Sequence, residues 1–315
     1  MRFSVIIPLY NKAAYVAKAI GSVLSQTFSD YELIVMDDGS KDNSFNIALQ
    51  VIEGQGHCHI YRQQNMGVSM ARNNAVALSQ GDYLCFLDAD DWWDPSFLEE
   101  MSRLIDEYPE AGIYGTNYTI VNEKKHKTRV ALVGVEPGFE KGPINYCQVY
   151  AKTMYMPLTS SSVAIRRPVF DEMQGFPIGI KLGEDFLLWI RIALKHEVVF
   201  LNKPLSFYNQ DVDVANRGVE RLQNPQYHML WNLGPLEDVE NYKPDYKQLV
   251  DNLRTYSLYP YYLSKKYHDA ASQELVKVDW DKQPVNCKKK YSQPIVWRRL
   301  RYKVRLLLTR LKHVL

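Results

Sequence analysis

One alternation, repeated along the first ninety or so residues, constrains the fold most. FSVIIPL, from Phe3, is a β-branched run, and YVAKAIGSVLSQ after it spaces its apolar residues as an amphipathic helix does. YELIVMDDGS and SFNIALQVI repeat the pattern, HIYRQ and VSMARNNAVAL repeat it again, and DYLCFLDAD supplies a further strand. Strands in alternation with helices predict an α/β fold with a mostly parallel, doubly wound sheet, whose ligands bind beyond the carboxyl ends of the strands. The loop after the first strand reads PLYNKAAY, so no G-x-G-x-x-G dinucleotide fingerprint joins strand to helix.

Further on, SSSVAIRRPVF reads as a strand leading to a helix, and GEDFLLWIRIALK as a strongly apolar helix. After Tyr208 the composition turns polar and aromatic, with helices expected near 243–265 and 268–277. This places a boundary near 215, giving an α/β domain over 1–215 and a mainly helical extension over 216–315. At 315 residues and 46% apolar content the chain is long and greasy enough to bury a sizeable core. Cys58, Cys85, Cys147 and Cys287 lie far apart without a C-x-x-C pair, which suggests reduced thiols rather than a zinc or redox site. The N-terminal apolar run is broken by Pro8 and no later stretch reaches the length of a membrane span, so the expectation is a cytoplasmic protein.

Carboxylates gather at three places. FLDADDWW puts Asp88, Asp90 and Asp91 at the end of a buried strand, where the D-x-D spacing suits a hard divalent cation, Mn²⁺ or Mg²⁺, that also takes phosphate oxygens. An Asp-rich turn or helix start is the alternative. MDDGS is either a tight Asp/Gly turn or an acceptor for a nucleobase N–H. Glu184 and Asp185 open a helix, where the macrodipole favours negative charge and capping alone would account for them.

The order of these motifs is more specific than any one of them. VIIPLYN, DDGS, the run Asn65, Gly67, Ala71, Arg72 and Asn73, DADD, and then GED with Trp189 and Arg191 together resemble glycosyltransferase family 2 over residues 3–208. The resemblance implies the GT-A fold and inverting transfer from a nucleotide-sugar donor, a UDP-sugar favoured, to a glycan or lipid-linked acceptor. It implies that Pro8 and Tyr10 line the base pocket, that Asp38 accepts from the base, that Arg72 lies near the diphosphate and that Asp88 contacts ribose or sugar. Asp90 would hold the metal, Asp185 would be the base, and Asp91 would support the site or cap a helix. Glu184 and Trp189 would stand on the acceptor side, although Trp189 reads equally as a core aromatic. Family members often carry a histidine shortly after the tyrosine matched here by Tyr208; this chain has YNQDVDV, leaving Gln210, Asp211, Asp213 or water to complete the site, while His196 reads as a structural or surface histidine. A sugar-nucleotide pyrophosphorylase and a catalytically degenerate sugar-binding protein are the alternatives; the first lacks a Gly-rich phosphate loop near the N-terminus.

Residues 288–315 hold ten Lys and Arg and no acid, against a body with 28 basic and 36 acidic residues. Leu300, Val304, Leu307, Leu308, Leu311 and Leu315 form one helical stripe, with Arg298, Arg301, Arg305 and Lys312 largely off it. Residues 295–315 therefore suit either peripheral contact at the inner face of the cytoplasmic membrane, with Trp297 as anchor, or packing on protein. The acidic body offers no continuous surface for nucleic acid.

Overall fold

The computed structural model describes residues 1–122, 127–210, 222–300 and Tyr302. The chain divides into two compact units, Met1–Glu220 and Arg221–Leu315. The boundary expected near 215 and most of the basic tail beyond Leu300 lie outside the described residues.

In the first unit, β1 (Phe3–Leu9), α1 (Val16–Leu24), β2 (Tyr31–Asp37), α2 (Ser44–Ile52), β3 (Cys58–Arg62), α3 (Val68–Ala77) and β4 (Tyr83–Phe86) follow the predicted alternation. Then come β5 (Trp92–Trp93), α4 (Phe97–Glu107), β6 (Ile113–Val121), β7 (Lys127–Arg129), β8 (Lys141–Ile144), α5 (Tyr146–Thr153), β9 (Val163–Arg166), α6 (Arg167–Glu172), α7 (Glu184–Ala193) and β10 (Val198–Asn209). Among the described residues they form one sheet in the order β3-β2-β1-β4-β9-β6-β10-β5, with β7 on β6 and β8 on β10.

The parallel expectation holds for β3, β2, β1 and β4 and stops there. β9 runs antiparallel to both β4 and β6, while β10 returns parallel to β6. Pro8 is tolerated in a central strand because β4 pairs only as far as Ile6, so the proline's missing N–H falls where one neighbour has already turned away. Leu9 and Asp37 end side by side, Phe86 ends beside Ile6, and the loops that follow them share one edge of the sheet.

The core lies between the sheet and helices α1, α2 and α4, where Val5, Ile7, Val16, Ile20, Leu33, Leu98 and Met101 are buried. At the opposite end of β1 a buried carboxylate ties three segments together. Glu32 accepts from Ser4 Oγ at 2.7 Å and from the Gln80 and Gly81 amides. Gly81 packs so tightly that an added Cβ would stand 2.5 Å from the Ser4 nitrogen.

The second unit is helical, with α8 (Leu236–Val239), α9 (Pro244–Ser257), α10 (Tyr259–Leu263), α11 (His268–Val276) and α12 (Val285–Ser292). Its fully buried Arg254 donates to both oxygens of Glu240 at 2.7 Å and to Glu274 at 3.3 Å, which satisfies a charge that would otherwise be costly inside a helical core. All four cysteines are free, as expected.

Replacing Gly81 by alanine should force backbone against backbone at the β1–β4 junction. The expected loss of unfolding free energy is about 2–4 kcal/mol by urea denaturation; an unchanged midpoint would show that the junction gives way freely.

Candidate active site

The three acidic motifs meet where β1, β2 and β4 end. Asp88 stands two residues beyond the end of β4, and its amide donates to Ser161 Oγ at 3.1 Å. Trp92 and Trp93, which close the motif, pair antiparallel with Phe207 and Ser206 of β10. Trp93 is buried, stacks on Phe97 and donates its indole N–H to the Ser161 carbonyl at 2.7 Å. The tryptophans thus clamp the acidic turn onto the second half of the sheet.

Each carboxylate of the turn has a different partner. Asp88 accepts from Arg72 Nη2 at 2.7 Å. Asp90 pairs with the Lys12 ammonium at 2.6 Å. Asp91, buried, accepts from Ser161 Oγ at 2.6 Å and from the Asn209 amide at 2.9 Å. Burial and the two neighbouring carboxylates push Asp91 well above the usual carboxylate range against those hydrogen bonds. Burial also raises Asp90, with Lys12 opposing and Asp88 adding to the rise.

Arg72 projects from α3 and is only 3% exposed. Its second nitrogen reaches Glu184 Oε1 at 3.3 Å, and its guanidinium lies over the Phe176 ring. Burial works against this charge, but Asp88, Glu184 and Asp185 outweigh it and raise the arginine's pKa. The family resemblance implies Arg72 near a diphosphate; in the structure its fork meets Asp88 and Glu184. Asn73, next in the motif, exchanges two hydrogen bonds with the Phe176 backbone and fixes the segment ahead of α7.

Asp185 stands in the first turn of α7, after Gly183 in the left-handed region at φ 84°. It is half-buried, and accepts from the Phe186 amide at 2.8 Å and from Ser160 Oγ at 3.2 Å. Burial, then the Glu184 carboxylate, push its carboxyl up to about 7, while Arg72 pulls it down. A carboxylate with that pKa is suited to take a proton near neutral pH.

Asp38 is spent locally in part. Its Oδ1 accepts from Gln63 Nε2 and the Met66 amide, and its Oδ2 from the Gly67 amide, all at 2.8 Å, so it holds the entry to α3. The turn needs Gly39, which sits at φ 74° with an added Cβ 3.0 Å from the Asn65 nitrogen. Pro8 is half-buried near the end of β1, and Tyr10, 41% exposed, follows the strand directly. Trp189 is a correction to the acceptor-side placement: it is fully buried and packs edge-on against Phe176, so it takes the core alternative. His196 hydrogen-bonds Glu172, as a structural histidine would. Gln210 donates its amide to Val121, and Asp211 and Asp213 lie outside the described residues.

Among the described residues no three His, Cys, Asp or Glu side chains converge as a ready metal cage. Asp90, with Asp88 two positions before it, brings one or two carboxylates. That set fits Mg²⁺ or Mn²⁺ when phosphate and water supply the remaining oxygens, and does not fit a cation held by protein alone. Lys12, Ser160, Ser161 and Asn209 were not singled out from sequence.

The sequence pattern described as "Glycosyl transferase family 2" matches residues 4–173. The glycosyltransferase GlyA of Streptococcus pneumoniae is 30% identical over 213 residues, 66% of this chain and 30% of that protein, so the chain spans about a third of such a relative's length. Among solved structures, S. aureus TarS 1-349 in complex with UDP-GlcNAc superposes with a TM-score of 0.70 at 18% identity, covering 88% of this chain and 79% of that one. The mannosyltransferase PcManGT from Pyrobaculum calidifontis, in complex with GDP-Man and Mn²⁺, gives 0.51 at 15% identity, covering 90% and 88%. Both likenesses are of fold.

Asp185 ionises at higher pH in the folded than in the unfolded chain, so its contribution to stability is full below about 4 and is lost as pH rises through about 7. Asp185→Asn removes that loss. The variant should unfold at higher free energy than wild type at pH 8, by about 1–2 kcal/mol for a half-buried group, and the gap should close toward pH 4; a gap independent of pH would mean that the carboxyl is not displaced.

Proposed function

The chain belongs to glycosyl transferase family 2, and from that premise we propose that it transfers a sugar from a nucleotide-sugar donor, a UDP-sugar favoured, to a glycan or lipid-linked acceptor, with inversion and with Mn²⁺ or Mg²⁺. The observation that carries this is that buried Arg72 ties Asp88, in the acidic turn after β4, to Glu184 at the head of α7, beside Asp185, whose carboxyl is pushed up to about 7 by burial and by Glu184.

In a single displacement the acceptor hydroxyl gives its proton to Asp185. Its oxygen bonds the anomeric carbon, and the bond from that carbon to the diphosphate oxygen breaks, releasing a nucleoside diphosphate. A divalent cation at Asp90 supplies charge stabilisation to that leaving group when bound. Asp88 faces ribose or sugar with a partly exposed carboxylate held by Arg72. Asp38, 3% exposed, takes the Gly67 amide on Oδ2, whose second lone pair would accept from a base N–H, with Pro8 and Tyr10 lining the base pocket. Glu184 stays on the acceptor side, next to the base whose pKa it raises. The UDP-GlcNAc bound by TarS and the GDP-Man and Mn²⁺ bound by PcManGT support a nucleotide-sugar donor while leaving its nucleotide to experiment.

A peripheral membrane contact belongs to the same proposal, and places the protein at the inner face of the cytoplasmic membrane in cell-envelope polysaccharide synthesis. Val296, Trp297 and Leu300 are each more than half exposed, in a segment that carries Lys288, Lys289, Lys290 and Arg299. Exposed aromatic and aliphatic groups among basic residues suit an anionic interface. Among the described residues no helix is long and apolar enough to cross a membrane.

Nucleoside diphosphate release from UDP-, GDP- and dTDP-sugars, with Mn²⁺ or with EDTA, tests the chemistry. One donor should turn over, EDTA should stop it, and Asp185→Asn should slow transfer to acceptor about 10²–10⁴-fold, as loss of a general base does, with Asp90→Ala also impaired. Donor binding without turnover in any acceptor mixture would favour a degenerate binding protein. For the membrane contact, a chain ending at residue 287 should lose co-sedimentation with phosphatidylglycerol vesicles; retention equal to the full chain would remove the tail's role.

A further inference from the structure

Lys12 lies in the loop between β1 and α1, and its ammonium holds Asp90 at 2.6 Å with both side chains less than a fifth exposed. The loop aims it there. Asn11 adopts the left-handed region at φ 51° and takes the Lys41 amide on its Oδ1 at 2.8 Å, while its own amide donates to Ser40 Oγ. The Lys12 amide donates to Ser44 Oγ at 2.7 Å and the Ala13 amide to Asp42 Oδ2 at 3.1 Å. Four hydrogen bonds to the turn after β2 thus fix the backbone from which a flexible four-carbon stem reaches across to Asp90.

We propose that Lys12 is an internal counter-cation that withholds Asp90 from divalent metal until a nucleoside diphosphate arrives. This rests on the reading that Asp90 meets the cation. A carboxylate already paired with an ammonium offers a metal little, since the metal must displace that charge or bind beside it. A diphosphate entering the same edge of the sheet presents denser negative charge, and a lysine stem can turn a few ångströms to meet it. Asp90 is then free for the cation, whose other oxygens come from the diphosphate. Nucleotide and metal bind with positive coupling, and Lys12 carries part of it. The positive charge count at the site also rises only as the leaving group's charge enters.

Lys12→Met, which keeps the stem and removes the charge, separates this from a supporting role for the loop. Mn²⁺ binding is read by electron paramagnetic resonance and UDP binding by calorimetry, each without and with the other. Without nucleotide, Lys12→Met should bind Mn²⁺ about tenfold more tightly than wild type, a difference of about 1.4 kcal/mol. Its affinity for UDP without metal should fall several-fold, and with saturating UDP its Mn²⁺ advantage should shrink. Lys12→Arg, which retains the charge, should behave as wild type. Loop damage would weaken both ligands, so a fall in both, no change in Mn²⁺ affinity, or Lys12→Arg matching Lys12→Met would each overturn the proposal. Asp90→Asn distinguishes the two levels: if it keeps wild-type Mn²⁺ affinity in the presence of UDP, the cation is not at Asp90 and the parent reading fails; if it loses Mn²⁺ while Lys12→Met leaves it unchanged, only the role of Lys12 fails.

Discussion

The site depends on one buried cation. Arg72 is nearly without exposure and lies between the acidic turn after β4 and the acidic start of α7, segments almost a hundred residues apart in sequence. An arginine at that depth is stable only with charged partners on its fork, which Asp88, partly exposed, and Glu184 supply. The buried guanidinium draws its compensation from both motifs at once. The pairing also explains why the segment before α7 is fixed so closely: Asn73 grips Phe176 from the residue next to Arg72, and the Phe176 ring covers the guanidinium.

Much of this is legible in the sequence where its cause is local. The β-branched runs and helical spacings locate β1, β2 and β4, because burial on both faces of a parallel strand leaves a continuous apolar run, while β3, at the sheet edge, is placed by its position in the alternation. β6 and β10 carry mixed runs such as GIYGTNYTIV and VVFLNKPLSFYN, in which polar residues and a proline interrupt the pattern. Their pairing is set by partners far along the chain, and β10 shifts register around Pro204. The turn from parallel to mixed sheet at β9 has no sequence signature of its own, since four residues of VAIR fit either direction.

The candidate site divides the same way. Asp38, Asp88, Asp90, Glu184 and Asp185 stand out as acids at strand and helix ends. Lys12, Ser160, Ser161 and Asn209 do not, because a lysine or serine in a loop is ordinary until the fold places a carboxylate against it. Trp189 shows the opposite error. Four residues after Asp185 it shares a helical face with the acid, but that face turns into the core, and one turn beyond Asp185 it buries Trp189 fully against Phe176.

Three carboxylates within four positions are tolerated because the fold gives each its own compensation. Asp88 has the guanidinium of Arg72, Asp90 the ammonium of Lys12, and Asp91 a hydroxyl and a backbone amide. The compensations differ in how readily they are given up. Arg72 is immobilised between two acids, and Asp91 is tied to Ser161, whose carbonyl holds Trp93, so altering either disturbs the frame. Lys12 reaches Asp90 on a long stem from a loop anchored through its backbone, and only its ammonium need move. Of the three acids, Asp90 is therefore the one whose partner can be exchanged for a ligand while the frame stands. Crowded charge at the mouth of a buried strand thus becomes a rigid support, Asp88 and Asp91, around a single exchangeable position.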